Sequence, residues 1–308
     1  MSPDAENTNR LSGPRATQPD KLRGLLAQDK LHITPSCFDA LSARMIERAG
    51  FDLAFMSGFA VSAARLASPD TGLISFGEML DTGRSVCEAV ALPVIGDGDT
   101  GYGNPMNVRR TVKGYARAGF AAAMIEDQVA PKRCGHTRGK EVVDRESAYQ
   151  RIRAAVDARE AGSDILIMAR TDARFGHGLK EAIERCRAFA DLGADILFLE
   201  APQSEAEMEQ LCRELPSLPK MANIVEDGDT PPLPPARLEE IGFQIAAYPL
   251  TLLSSAVRAM EGALAALAAG KPAPSLLPFA DLQAVVGFPE YDEALAGYAT
   301  DALDEGAS

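Results

Sequence analysis

The most regular feature of the chain is a repeated unit in which a segment of helical periodicity closes on glycine and a continuous apolar run follows at once. It reads Arg48-Ala49-Gly50-Phe51 before Leu53-Ala54-Phe55-Met56, and Arg117-Ala118-Gly119-Phe120 before Ala121-Ala122-Ala123-Met124-Ile125. It recurs as Asp191-Leu192-Gly193-Ala194 before Ile196-Leu197-Phe198-Leu199, and as Glu240-Ile241-Gly242-Phe243 before Ile245-Ala246-Ala247. Glycine suits the left-handed position that ends a helix. Runs that are apolar throughout, rather than alternating, belong to strands covered on both faces. Helix and strand in alternation then predict a parallel sheet.

Strands are expected at 32–35, 53–56, 93–96, 122–125, 165–169, 196–199, 220–222 and 244–247. Helices are expected near 38–49, 78–90, 106–118, 146–160, 179–192, 204–214, 235–241 and 251–269. Eight of each close most simply as a (β/α)8 barrel of the TIM type. A doubly wound open sheet is the alternative, but no G-x-G-x-x-G follows the first run and polar residues follow nearly all of them. The catalytic barrel domain is placed at 21–270, after a disordered N-terminal tail at 1–20 and before a C-terminal helical extension and tail at 271–308.

The runs end in Ser57-Gly58, Asp97-Gly98-Asp99, Glu126-Asp127, Arg170-Thr171-Asp172, Glu200, Asn223 and Tyr248-Pro249. Asp or Asn after a strand commonly caps the next helix. Caps do not need arginine or glutamate, however, and in a barrel these positions converge on the face where active sites are built.

Composition narrows the class. A formal charge of -13 over 308 residues argues against nucleic acid or an anionic membrane surface as partner, since both call for a basic footprint. A small anionic substrate stays compatible, because salt screens the distant field beyond roughly 10 Å. No apolar stretch approaches the ~20 residues of a membrane span. Five cysteines, odd in number and without a C-x-x-C pair, suggest neither a disulfide framework nor zinc, and a cytoplasmic setting.

In Asp97-Gly98-Asp99-Thr100-Gly101-Tyr102-Gly103 two carboxylates one residue apart on an extended segment point to the same side. With Glu126 from the next strand and Asp70 from the loop after the second, they form a hard oxygen set suited to Mg2+ or Mn2+. Arg170 can pair a substrate carboxylate bidentately. Ser57 with the backbone of Gly58 and Phe59 can hold a further carboxylate or a developing enolate oxygen. Cys134 sits in Pro131-Lys132-Arg133-Cys134-Gly135-His136, where Lys132, Arg133 and His136 favour the thiolate. That loop fits a proton donor or nucleophile better than a buried, inert cysteine.

Taken with Met56-Ser57-Gly58, Pro69-Asp70-Thr71-Gly72, Ile125-Glu126-Asp127-Gln128, Met168-Ala169-Arg170-Thr171-Asp172-Ala173, Glu200-Ala201 and Ala222-Asn223-Ile224, these pieces resemble the isocitrate lyase and phosphoenolpyruvate mutase superfamily. Within it the chain looks most like the methylisocitrate lyase, 2,3-dimethylmalate lyase and oxaloacetate hydrolase group. The resemblance implies a Mg2+-dependent carbon–carbon lyase that cleaves a substituted malate to a 2-oxo acid and a carboxylic acid through an enolate. It implies Asp97 as the direct metal ligand, with Asp70, Asp99 and Glu126 around the metal's water shell. It implies Ser57, Gly58 and Phe59 on the 2-oxo acid, and Gly135, Arg170, Glu200 and Asn223 as substrate contacts. Cys134 is implied as the acid that protonates the enolate, on a loop that closes over the site, tuned by Lys132, Arg133 and His136. A homotetramer with the helix at 251–269 exchanged between subunits is implied as well.

Two departures bear on the substrate. Phe55 stands where methylisocitrate lyases have a tyrosine, a candidate base, which leaves metal-bound water, Glu126 or Asp127 for that role. Ser254 stands where they have an arginine for a third carboxylate, and an unpaired carboxylate in a closed site is penalised by several kcal/mol. A dicarboxylate is therefore expected over a tricarboxylate. Methylisocitrate cleavage, oxaloacetate hydrolysis and carboxyphosphonoenolpyruvate mutase chemistry are the enzymatic rivals; a non-catalytic binding protein on a retained barrel is the least favoured.

Overall fold

The eight apolar runs form eight parallel strands: β1 (His32–Cys37), β2 (Ala54–Met56), β3 (Val94–Asp97), β4 (Ala122–Glu126), β5 (Leu166–Thr171), β6 (Ile196–Leu199), β7 (Lys220–Asn223) and β8 (Ile245–Tyr248). Each pairs with the next, and His32–Pro35 pairs with Ile245–Tyr248 to close the barrel. The computed structural model describes residues 16–133, 139–215, 218–226 and 228–298. Around the strands lie α1 (Gln18–Leu26), α2 (Ala40–Arg48), α3 (Gly58–Leu66), α4 (Phe76–Ala89), α5 (Pro105–Ala118), α6 (Arg145–Glu160), α7 (Arg174–Asp191), α8 (Glu205–Glu214), α9 (Pro235–Ile241), α10 (Thr251–Ala268), α11 (Phe279–Val286) and α12 (Phe288–Ala296). The glycines that close the repeated unit, Gly50, Gly119, Gly193 and Gly242, all have φ between 84° and 107°, the left-handed region that ends a helix.

Both faces of the strands are buried, in two separate cores. Phe55, Ile95, Met124, Met168, Phe198, Met221 and Ile245 fill the barrel interior, while Met56, Val94, Ile125, Ile167, Leu197, Ala222 and Ala246 pack outward against the helices. This explains the uninterrupted apolar runs: a strand with two dry faces has no polar position to alternate with. Truncating one of these large side chains, such as the fully buried Phe198, removes about 3–5 kcal/mol.

Helices α1 and α3 depart from the sequence reading. Helix α1 begins at Gln18, inside the stretch assigned to a tail, with Thr17 and Asp20 forming a reciprocal capping box and proline in the first turn. Its Leu22, fully buried, joins the interior core, and Leu25 and Leu26 pack beside it. The Ser57-Gly58-Phe59 segment, read as able to hold a carboxylate or an enolate oxygen, opens α3, a helix not expected from the sequence, whose first turn is capped by the Ser57 hydroxyl accepting from the amide of Ala60 at 3.3 Å.

The C-terminal part packs differently. No residue of α10 is buried, although it is mostly apolar. Val257, Met260, Leu264 and Leu267 are between 44 and 65% exposed. Beside it an apolar groove of about 430 Å3, lined by Ile33, Met45, Phe51, Tyr248 and Leu252, runs along the outside of β1 and β8. No helix among the described residues is long and apolar enough to cross a membrane.

Candidate active site

Side chains alternate across a strand, so each inward row can be followed to the end of its strand. On β2, β3, β4, β5, β6 and β7 the interior residues Phe55, Ile95, Met124, Met168, Phe198 and Met221 are each followed two positions later by Ser57, Asp97, Glu126, Arg170, Glu200 and Asn223. The chemistry of the mouth is thus the top layer of the barrel interior. The ladder continues through it, with Glu126 in register with Arg170. Strands β3, β4, β5, β7 and β8 accordingly end one or two residues beyond the apolar runs, because backbone pairing does not depend on side-chain polarity.

Asp97 is fixed from both sides. Its Oδ2 accepts the amide of Gly58 at 3.0 Å and its Oδ1 the amide of Asp99 at 3.0 Å. The Tyr115 hydroxyl donates to its carbonyl at 2.7 Å. Gly58 is required there, since a Cβ at that position would lie 2.5 Å from Asp97 Oδ2. The expectation that Asp97 and Asp99 share one side of an extended segment is corrected. The chain turns after Asp97, and Asp99 has φ 48°; the two acids meet through the turn and the bond between them.

A lysine occupies the middle of the acid cluster. Lys132, read from sequence as tuning Cys134, places Nζ 2.6 Å from Asp70 Oδ1, 2.7 Å from Asp70 Oδ2 and 2.8 Å from Asp99 Oδ1, all buried. Burial pushes the Asp99 carboxyl up to about 7, with Lys132 opposing and Asp97 and Asp70 reinforcing the rise. Burial also holds the Glu126 carboxyl well above the usual range, against the attraction of Arg170. Burial pulls Lys132 down, but Asp99, Asp97 and Asp70 more than offset it and keep the ammonium charged.

Arg170 is already gripped. It donates from Nε to Asp172 Oδ2 at 2.8 Å and from Nη2 to Asp172 Oδ1 at 3.0 Å, with Glu126 Oε2 at 3.2 Å and Glu200 Oε2 at 3.9 Å. The bidentate partner assigned to the substrate is therefore Asp172, which the sequence reading gave no role. Arg170 still lines the cavity and lies over the Phe198 ring at 5.0 Å. Asn223 Nδ2 is 3.3 Å from both oxygens of Glu200. Asp127 is ruled out as the base. It points outward from β4, with Oδ2 accepting from Thr171 Oγ1 and Arg185 and Oδ1 accepting the amide of Asp172.

The cavity at the mouth has a volume of about 60 Å3, room for roughly two waters at about 30 Å3 each. Ser57, Phe59, Asp70, Asp97, Lys132, Arg133, Arg170, Glu200 and Asn223 line it together with Phe55, Phe198, Met221, Val225, Pro249 and Leu250. None of the last five was singled out as a contact from sequence; their signal was position alone, in an inward row or just past a strand end. Ser254 is exposed on α10 and is not among the lining residues. Cys134, Gly135 and His136 lie outside the described residues. The four described cysteines are free and burial raises every one of their thiols; none of them lines the cavity.

The donor set suits a hard divalent cation. Asp70 Oδ1, Asp99 Oδ1 and Glu126 Oε1 are buried without a hydrogen-bond partner, Asp70 and Asp99 having only the poorly angled approach of Lys132. Oxygen donors of this kind are those Mg2+ takes. Among the described residues no three acidic, histidine or cysteine side chains converge on one point as ligands; here the acids gather about Lys132 Nζ.

Comparison with known proteins agrees with this geometry. A family model described as phosphoenolpyruvate phosphomutase matches residues 22–268. The 2,3-dimethylmalate lyase of Eubacterium barkeri is 41% identical over 91% of this chain and 98% of its own. A probable 2-methylisocitrate lyase of Corynebacterium glutamicum is 44% identical over 80% of each. Among solved structures, an oxaloacetate acetylhydrolase in complex with the inhibitor 3,3-difluorooxalacetate superimposes with a TM-score of 0.89 at 36% identity, covering 93% of this chain and 98% of that one. A phosphonopyruvate hydrolase complex with oxalate and Mg2+ does so with a TM-score of 0.81 at 28% identity, covering 92% and 99%.

Proposed function

The chain belongs to the phosphoenolpyruvate mutase and isocitrate lyase superfamily and is a carbon–carbon lyase of that group, and we propose that it cleaves a 2-hydroxy dicarboxylate of the substituted malate type to a 2-oxo acid and a carboxylic acid. The observation that carries the substrate class is the mixed lining of the cavity. It is lined by Arg170, Lys132 and the first turn of α3, and also by the apolar Phe55, Val225 and Leu250. Alkyl substituents on C3 fit that surface. A third carboxylate buried against Leu250 or Val225 without a cation of its own would be penalised by several kcal/mol.

Asp97, with Asp70, Asp99 and Glu126, would hold Mg2+. Bound there, the ion supplies Lewis-acid polarisation of the 2-oxygen and its neighbouring carboxylate. Ser57 and the α3 amides orient the 2-oxo acid half. Arg170 anchors a carboxylate, its guanidinium held planar against Asp172. With Asp127 committed elsewhere, Glu126 or a bound water takes the hydroxyl proton. Cys134 returns a proton to the enolate carbon of the departing acid as C2–C3 breaks.

A homotetramer that covers α10 completes the reading. It is supported by an apolar helix with no buried residue beside an open apolar groove, the kind of patch that marks an interface; sedimentation equilibrium tests it, and a monomer at micromolar concentration would refute it. For the activity, the test is release of 2-oxo acid from 2,3-dimethylmalate, with and without Mg2+. No turnover of any substituted malate, with turnover of oxaloacetate or phosphonopyruvate instead, would overturn the assignment.

A further inference from the structure

Asp127 follows the mouth residue Glu126 and so faces the opposite side of the sheet, away from the cavity. It is 1% exposed, and two of the three hydrogen bonds its carboxylate accepts come from the end of β5. Thr171 Oγ1 donates to its Oδ2 at 2.6 Å, the Asp172 amide to its Oδ1 at 2.9 Å, and Arg185 Nη1 to its Oδ2 at 3.0 Å. Asp172 then turns its own carboxylate to Arg170 as the bidentate partner at 2.8 and 3.0 Å.

The surroundings hold Asp127 as firmly as it holds Asp172. Arg151 on α6 donates to the carbonyls on either side of it, Glu126 at 3.1 Å and Gln128 at 2.6 Å. Arg185 on α7 is 3% exposed, and its Nε reaches Glu181 Oε1 at 2.9 Å; Glu181 is in turn paired with Arg145. A buried ion pair is a weak source of stability, because desolvation consumes much of the attraction. What this one does deliver is orientation: three donors converge on one carboxylate that fixes the peptide carrying Asp172.

We propose that Asp127 is a positioning residue for the reaction, which sets the Arg170 guanidinium from behind the barrel wall by fixing Thr171 and Asp172, with Arg185 as its buried counter-charge. The inference rests on the reading of Arg170 as the anchor of a substrate carboxylate. A displacement of about 1 Å at such a group can cost about a hundredfold in kcat/KM.

The test is a double-mutant cycle of Asp127→Asn and Asp172→Asn, read by kinetics on 2,3-dimethylmalate and by crystal structures of the variants. Each single variant is expected to lower kcat/KM by about 10- to 100-fold, mostly through KM, as loss of a ground-state anchor does. Since both act through Arg170, the double variant should fall no more than about threefold below the worse single, the non-additivity of residues in one chain of contacts. Losses that multiply, or unchanged kinetics per folded molecule in both singles, would overturn the proposal. Because Asp127→Asn sets two donors against each other at Arg185, Thr171→Val serves as the milder probe. It keeps the charge and removes two bonds, the one to Asp127 and the one the Thr171 hydroxyl accepts from the amide of Ala173 at 3.2 Å, and it should raise KM by about three- to tenfold with kcat within about twofold; a KM unchanged in a well-folded Thr171→Val protein counts against the proposal. Should the wild type cleave no substituted malate, the substrate reading fails and the crystal structure of Asp127→Asn still decides. Arg170 displaced supports the proposal, and Arg170 in its wild-type place overturns it.

Discussion

Replacing Lys132 with methionine tests the account of the mouth most directly. In the wild type one ammonium lies within 2.8 Å of Asp70 and Asp99, and burial already lifts Asp99 to about 7. Methionine keeps the length and apolar stem but leaves the acids without their central cation. Breaking a buried pair by removing one partner costs about 3–5 kcal/mol. At roughly 2–4 °C per kcal/mol for a domain of this size, Tm in EDTA at pH 8 should fall by about 6–20 °C. The loss has a signature in pH. A carboxyl whose folded pKa is raised, as in Asp99 and Glu126, stabilises the protonated folded state. That contribution is full below the unfolded value of 3.8 for Asp99 and is lost as pH rises through about 7. Lys132 opposes the rise at both carboxyls, so without it they are raised further, and the variant should recover part of its deficit between pH 8 and pH 5, at most about 1.4 kcal/mol per unit for each group. Millimolar MgCl2 at pH 8 should raise the Tm of the variant more than that of the wild type, since a divalent cation can take the ammonium's place. Differential scanning calorimetry in the three buffers decides it. Equal Tm for the two proteins in EDTA at pH 8, or a deficit indifferent to both pH and Mg2+, would refute the reasoning.

Asp97→Asn should abolish product formation while leaving a folded protein, whereas Asp97→Ala should also lose about 2–6 kcal/mol of stability, because two buried amides lose their acceptor; activity surviving in EDTA or in Asp97→Asn would remove the metal from the reading. Gly58→Ala should give less than a hundredth of wild-type kcat/KM, the added methyl pushing against Asp97; near-normal kinetics would mean that the contact relaxes freely. Measured side by side, kcat/KM should favour 2,3-dimethylmalate over methylisocitrate by at least about tenfold, the worth of one poorly housed group, and the reverse order would show the apolar wall to be misread. Cys134→Ser should bind Mg2+ normally and lose roughly 10²–10⁴ in kcat, the span of general acid catalysis; an unchanged kcat in single-turnover cleavage would remove Cys134 from the chemistry.

The barrel was legible because burying both faces of a parallel sheet leaves uninterrupted apolar runs, and these locate strands without needing periodicity. The strand ends were less legible for the same reason. Asp97, Glu126, Arg170 and Asn223 pair in the ladder while breaking the apolar run. Helix α3 escaped because Gly58-Phe59-Ala60-Val61-Ser62 has no helical apolar spacing, although Ser57 is a capping residue. Helix α1 carried a readable signal, Thr17 and Asp20 around a proline, inside a stretch judged by its polarity alone. In the site, residue types located the acids and Arg170 but not who faces whom. Whether Lys132 serves the thiol loop or the carboxylates, and whether Arg170 grips substrate or Asp172, depends on side-chain direction at the end of a turn. No spacing rule encodes that.

The leucines of α1 packed into the barrel interior have a kinetic counterpart. With Leu22 sealing the lower end, everything enters and leaves by the mouth. Asp70 and Asp97 line the cavity, while Asp99 and Glu126 are buried beside them. A cation held by these acids would have to arrive before the organic acid that fills the mouth, and could not leave until the products have gone. Initial-rate patterns should accordingly show compulsory order, with the metal bound first and released last.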